Sequence, residues 1–160
     1  MDRAQVRILP PVVLAVALSL QVLFAILLPG RILPGSATIL VGLPVVLASF
    51  ALVALAIGDI RRARTAFDVR KSTTAIATSG VFGFSRNPVY LSMTLLVFGL
   101  GLMLNSPWSL LVTIPTGSAL CLTAIRPEER YLEGKFGDAY RAYRGEVPRW
   151  LSIRRVLSVF

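Results

Sequence analysis

The chain has 160 residues, 55% of them hydrophobic and only 16% charged, yet its formal net charge is +9 and its mean hydropathy +0.72. A disordered nucleic-acid-binding tail is excluded because such tails are poor in hydrophobic residues, and the single Cys121 excludes a disulfide scaffold. With no histidine, neither a His-ligated metal nor a Ser-His-Asp or Cys-His nucleophile system can form. A small membrane protein remains, with no nucleic-acid partner expected.

Uncharged apolar blocks run over 8–28, 37–58, 89–104 and 108–125. A helix needs roughly 20 apolar residues to cross ~30 Å of hydrocarbon, and about 17 suffice in short cases. The first two blocks meet that length. The third and fourth are shorter and are separated by Asn105-Ser106-Pro107, a turn signal that predicts a tight helical hairpin. A chain of this size has too little polar sequence to cover four such helices in water, and lipid favours helices over open sheets. The predicted fold is a single all-α integral membrane domain over 1–160 with four transmembrane helices and an amphipathic C-terminal helical tail. Arg3 and Arg7 precede the first block as in a signal peptide. No small-x-small cleavage site follows, and Leu28-Pro29-Gly30 reads as a helix stop, so the block is read as retained.

Four spans divide the positive charge unequally. Two basic residues precede the first span, six lie between the second and third, and eight follow the fourth. The opposite side holds Arg31 alone. Sixteen against one places both termini on the cytoplasmic side, and the short outward loops leave any chemistry to the segments about 67–91 and 126–150. In the tail, Pro127, Glu128 and Glu129 suit the first turn of a helix. Tyr131, Leu132 and Phe136 follow at helical spacing, Gly134 and Gly137 weaken or break the helix, and a second short helix carries Tyr140, Tyr143 and Val147 on one face. Trp150 is expected at the headgroup level, and most arginines are read as snorkelling to lipid phosphates.

Two clusters stand out. Glu128 and Glu129 form an acidic pair just past a span; they are either favourable charges at a helix N-terminus or a carboxylate pair holding a cationic or hydroxyl-rich ligand. Ser85-Arg86-Asn87-Pro88-Val89-Tyr90 opens the third span, and Pro88 restricts Asn87 so that Asn87 and Tyr90 can face the charged side.

The stretch Thr78-Ser79-Gly80-Val81-Phe82-Gly83-Phe84-Ser85-Arg86-Asn87-Pro88-Val89-Tyr90-Leu91 resembles the signature of the isoprenylcysteine carboxyl methyltransferase and phospholipid methyltransferase superfamily. Arg126-Pro127-Glu128-Glu129-Arg130-Tyr131-Leu132, with Phe136-Gly137, Tyr140, Tyr143 and Val147-Pro148, resembles its second signature. The resemblance covers about half the chain and implies a membrane enzyme that uses S-adenosylmethionine on the cytoplasmic side of a bacterial cell membrane. It implies cofactor-binding positions at Thr74, Ala75, Ile76, Ala77, Phe82, Asn87, Pro88, Val89, Tyr90, Glu128 and Glu129. Catalytic roles fall to Asn87, Tyr90 and Glu128, with Arg126 the nearest candidate for a substrate contact. The acceptor it implies is apolar or lipid-linked. Two departures mark this chain: Asn87 stands where the best-known relatives have His, and Ala124 stands where the prenylcysteine enzymes place a substrate-carboxylate Arg. Two other readings stay open: an NADPH-dependent reductase of sterol-reductase type, and a non-catalytic subunit that binds lipid or a partner. Oligomeric state is not legible.

Overall fold

The computed structural model describes residues 8–34, 37–63 and 76–151. Helix α1 (Pro10–Leu27) starts on prolines, whose missing N–H costs nothing in a first turn. Helix α2 (Ala37–Arg62) continues through Pro44 and ends on Arg61 and Arg62, placed against the negative end of the helix dipole. A 3-10 turn (Gly80–Gly83) leads into α3 (Pro88–Met103). Then come α4 (Pro107–Leu111), α5 (Thr113–Leu120), a π-helical turn (Cys121–Ile125), α6 (Arg126–Phe136) and α7 (Asp138–Glu146). The described residues contain no strand.

Three helical stretches are long and apolar enough to cross a membrane: Pro10–Leu27, Ala37–Arg62 and Pro107–Phe136. Helix α3 is apolar but has 16 residues, about 24 Å at 1.5 Å per residue. Large side chains such as Ile26, Leu40 and Ile114 are at least two-thirds exposed, an apolar surface that suits lipid and not water. The chain is a multi-pass membrane protein by these features.

Helices α2 and α3 approach closely. A Cβ on Gly42 would lie 2.7 Å from the Gly99 carbonyl oxygen, and one on Gly99 would lie 2.8 Å from Val46 Cγ2. Contact through small residues is how helices associate where no hydrophobic effect drives them together. Helix α1 packs on the other side of α3, with Ala17 against Val97 and Val112. The buried Gln21 donates through Nε2 to the carbonyls of Val97 (2.6 Å) and Ser109 (3.0 Å). The Ser109 hydroxyl donates back to the Gln21 carbonyl at 2.7 Å.

The hairpin expected at Asn105-Ser106-Pro107 is present. Asn105 takes a left-handed φ of 52°; its Oδ1 accepts the Ile32 and Leu33 N–H groups and its Nδ2 donates to the Leu33 carbonyl. Ser106 then caps α4. Pro115 has no N–H for the Leu111 carbonyl, and between α4 and α5 the chain tightens, with Val112 N–H donating to Ser109 at 3.3 Å.

As expected, Pro127, Glu128 and Glu129 lie in the first turn of a helix, α6. What the sequence did not indicate is that the chain enters α6 from a π turn without leaving helical conformation, since Ile125 and Arg126 are themselves right-handed helical. Pro127 cannot donate to the Thr123 carbonyl and its ring crowds that oxygen; the backbone widens, and Arg126 N–H reaches back to Cys121. Such single π turns let a helix absorb a misfit residue. Gly134 stays inside α6, while Gly137, at φ 54°, breaks it and starts α7.

Candidate functional site

The tail returns to the start of α3 and closes on it. Tyr140, Tyr143 and Val147 lie on one face as expected and bury together against Ile76, Leu132 and Phe136. Burial raises the Tyr140 and Tyr143 hydroxyls well above their ordinary pKa; the charge of Glu129 adds to the first, the Tyr140 hydroxyl to the second, and Arg86 opposes both. Both phenols therefore remain donors. Tyr143 gives its proton to the Phe82 carbonyl at 2.7 Å, and the backbone N–H of Arg86 donates to the Pro148 carbonyl at 3.0 Å.

Glu129 sits at the centre of this closure. Its side chain is 9% exposed and meets Arg86 at 3.1 Å, with the Arg86 side chain 7% exposed. Arg149 reaches both carboxylate oxygens, the shortest contact being 2.6 Å. These bonds hold the Arg149 guanidinium above its usual pKa. Asn87 Nδ2 adds a long bond to Glu129 at 3.4 Å and a second, at 3.1 Å, to the Arg149 carbonyl. Asn87 occupies the N-cap position of α3, where asparagine ordinarily bonds the helix N–H groups. It makes no such cap; its amide serves the carboxylate.

Glu128, one residue earlier and about 100° around the helix, is used differently. Among the described residues it accepts one side-chain hydrogen bond, from the Tyr90 hydroxyl at 2.8 Å. The Tyr90 ring packs with Leu120, Ala124 and Ile125, joined by Val13, Met93, Cys121 and Trp150. Trp150, expected at the headgroup level, is partly buried and packs against this cluster. A neutral hydroxyl on one oxygen leaves Glu128 with acceptor capacity, next to a node that carries two cations for one anion.

The structure thus brings Asn87, Tyr90, Glu128 and Glu129 together through direct bonds. Pro88 is buried in the first turn of α3. Val89 and Phe82 pack instead toward α2, around Leu52, Ala56 and Val81. Ile76 belongs to the tail cluster, and Ala77 is half-buried. Arg126 is exposed. Thr74 and Ala75 lie outside the described residues. Sequence reasoning missed Arg86 and Arg149 as members of the node. The available signal was the Arg-Asn-Pro order and a second arginine just after Val147-Pro148, which has to compensate something if the tail folds back.

With this geometry in place, comparison with known proteins is informative. Residues 37–139, from the first residue of α2 to the second of α7, match the phospholipid methyltransferase family. A protein of Haemophilus influenzae described only as uncharacterized is 40% identical over 63 residues, which is 39% of this chain and all of that protein. No solved structure matches.

Proposed function

Since the chain belongs to the phospholipid methyltransferase family, a membrane methyltransferase family, we propose that it transfers a methyl group from S-adenosylmethionine to an apolar or lipid-linked acceptor at the Asn87–Tyr90–Glu128–Glu129 site. The observation that carries the reading is the division between the two glutamates. Glu129 is consumed by Arg86, Arg149 and Asn87, while Glu128 holds only the Tyr90 hydroxyl among the described residues.

That donor set fits the cofactor. Glu128 would accept from its ribose hydroxyls or ammonium through the acceptor capacity that the Tyr90 hydroxyl leaves open. The excess positive charge at Arg86 and Arg149 would favour its carboxylate or an acidic acceptor. Ile76, Ala77 and Pro88 would form the apolar wall, backed on the α2 side by Phe82 and Val89, with Thr74 and Ala75 beside them in sequence. When bound, S-adenosylmethionine supplies a methyl group on a sulfonium, an electrophile that needs orientation and dryness more than acid–base help. The protein's own contribution is therefore positional: Tyr90 holds Glu128, Glu129 holds Asn87, and the apolar cluster of Leu120, Ala124 and Ile125 excludes water. Positioning of this kind supplies on the order of 7–11 kcal/mol in favourable cases. Asn87 does not serve as a proton acceptor near neutral pH, so the acceptor is one that needs little deprotonation. Arg126, two residues before Glu128, is the candidate contact for an acidic headgroup.

The charge asymmetry favours a cytoplasmic site with both termini cytoplasmic, in a bacterial cell membrane, and α3 serves as the short fourth span. The test is to incubate membranes containing the protein with methyl-labelled S-adenosylmethionine and extract the lipid phase. Label in an organic-soluble product, lost in Glu128→Ala, is expected. A lipid phase that stays unlabelled above a vector control would overturn the proposal.

A further inference from the structure

The turn Gly80–Gly83 is gripped from two sides, and one grip comes from a residue that the site above does not include. Asp59 lies near the end of α2 and is 8% exposed. Its Oδ2 accepts the Val81 N–H at 2.9 Å, and its Oδ1 is 3.1 Å from Arg62, whose side chain is exposed. From the other side Tyr143, on α7, donates to the carbonyl of Phe82 at 2.7 Å. Gly80 completes the fit: its φ is +63°, and a Cβ there would overlap the Asp59 carboxylate. The N–H just before Phe82 and the carbonyl of Phe82 are therefore both fixed, one by α2 and one by the tail.

A carboxylate is a costly way to fill this position. Val81 packs with the apolar Leu52 and Ala56, and an apolar side chain would add to that cluster without desolvating a charge. What the carboxylate adds is direction, because it fixes where the Val81 amide and the following residue sit. We propose that Asp59 is a positioning residue for methyl-donor binding, acting through Val81 N–H to fix the turn whose Val81 carbonyl in turn holds the Ser85 N–H, just before Arg86 and Asn87. This rests on the methyltransferase reading above.

The test is calorimetric titration of S-adenosylhomocysteine into the full chain in detergent, with thermal unfolding measured on the same samples. Asp59→Ala is expected to weaken binding by about tenfold or more, the scale of one lost buried hydrogen bond to a charged acceptor. Asp59→Asn keeps an oxygen facing Val81 and is expected to restore most of the affinity. Tyr143→Phe, which releases the other side of the turn, is expected to weaken binding by a smaller factor. The unfolding midpoint should stay close to wild type in Asp59→Asn and fall by no more than the cost of one hydrogen bond in Asp59→Ala and Tyr143→Phe. If wild type binds and Asp59→Ala binds equally well, or if Asn fails to rescue, the positioning role is wrong while the parent reading survives. If wild type does not bind, the parent reading falls and this inference with it. Should Asp59→Ala not fold, Gly80→Ala drives a Cβ into the same carboxylate: lost affinity supports the role, and unchanged affinity overturns it.

Discussion

Where α3 begins, a buried carboxylate lies between the buried Arg86 and the partly exposed Arg149, with a second carboxyl group one residue away. Where α3 ends, the ties among the described residues are neutral: Asn105 bridges to Ile32 and Leu33, and Gln21 and Ser109 exchange bonds one layer deeper. Both arrangements pair buried polar groups, each leaving one atom without a partner among the described residues (Arg86 Nε and Gln21 Oε1), but at different cost. Amide and hydroxyl ties need little desolvation, whereas a buried ion pair seldom repays the charges it removes from water. Neutral ties would have sufficed at either end if holding helices together were the only requirement. Perturbed, paired charges concentrate where chemistry or binding uses them, and the contrast supports the proposal that the start of α3 is the working end and its far end the holding end.

Substitutions can break that contrast in order of expected size. Glu129→Gln leaves Arg86 buried without its counter-charge and should cost about 3–5 kcal/mol, read as a large fall in the unfolding midpoint in detergent. A cost near that of a surface ion pair would show that the node is hydrated. Between the two ends, Gly99→Ala forces a methyl against Val46 and should cost about 1–3 kcal/mol. Asn105→Ala removes three neutral, partly exposed hydrogen bonds and should cost roughly 1–2 kcal/mol with ligand affinity unchanged; weakened binding would mean that the two ends are coupled. Gln21→Leu should be smallest, within about 1 kcal/mol. Its Oε1 has no partner among the described residues, and the carbonyls it serves already lie within helices.

Much of this contrast was legible in the sequence. Uncharged blocks locate the helices because the bilayer admits little else, Asn-Ser-Pro marks the hairpin, and helical spacing puts Tyr140, Tyr143 and Val147 on one buried face. The acidic pair was visible, but its division of labour was not. Which glutamate meets the arginines depends on the helical phase set by the π turn at Cys121–Ile125, and on the break at Gly137 that sends the chain back toward α3. Reading arginines as lipid-facing fails for Arg86 for the same reason: its partner lies 43 positions away in the chain and is met only once the tail closes. Asp59 was equally hidden, since the Val81 N–H that it accepts lies 22 positions further along the chain.

The division between the glutamates is the central claim, and titration of S-adenosylhomocysteine into wild type, Glu128→Ala and Glu129→Gln tests it most directly. The account predicts sub-millimolar binding by wild type, and binding lost in Glu128→Ala while its unfolding midpoint stays near wild type. In Glu129→Gln the midpoint should fall instead. Wild-type-like affinity in Glu128→Ala, or no wild-type binding below millimolar concentration, would contradict it.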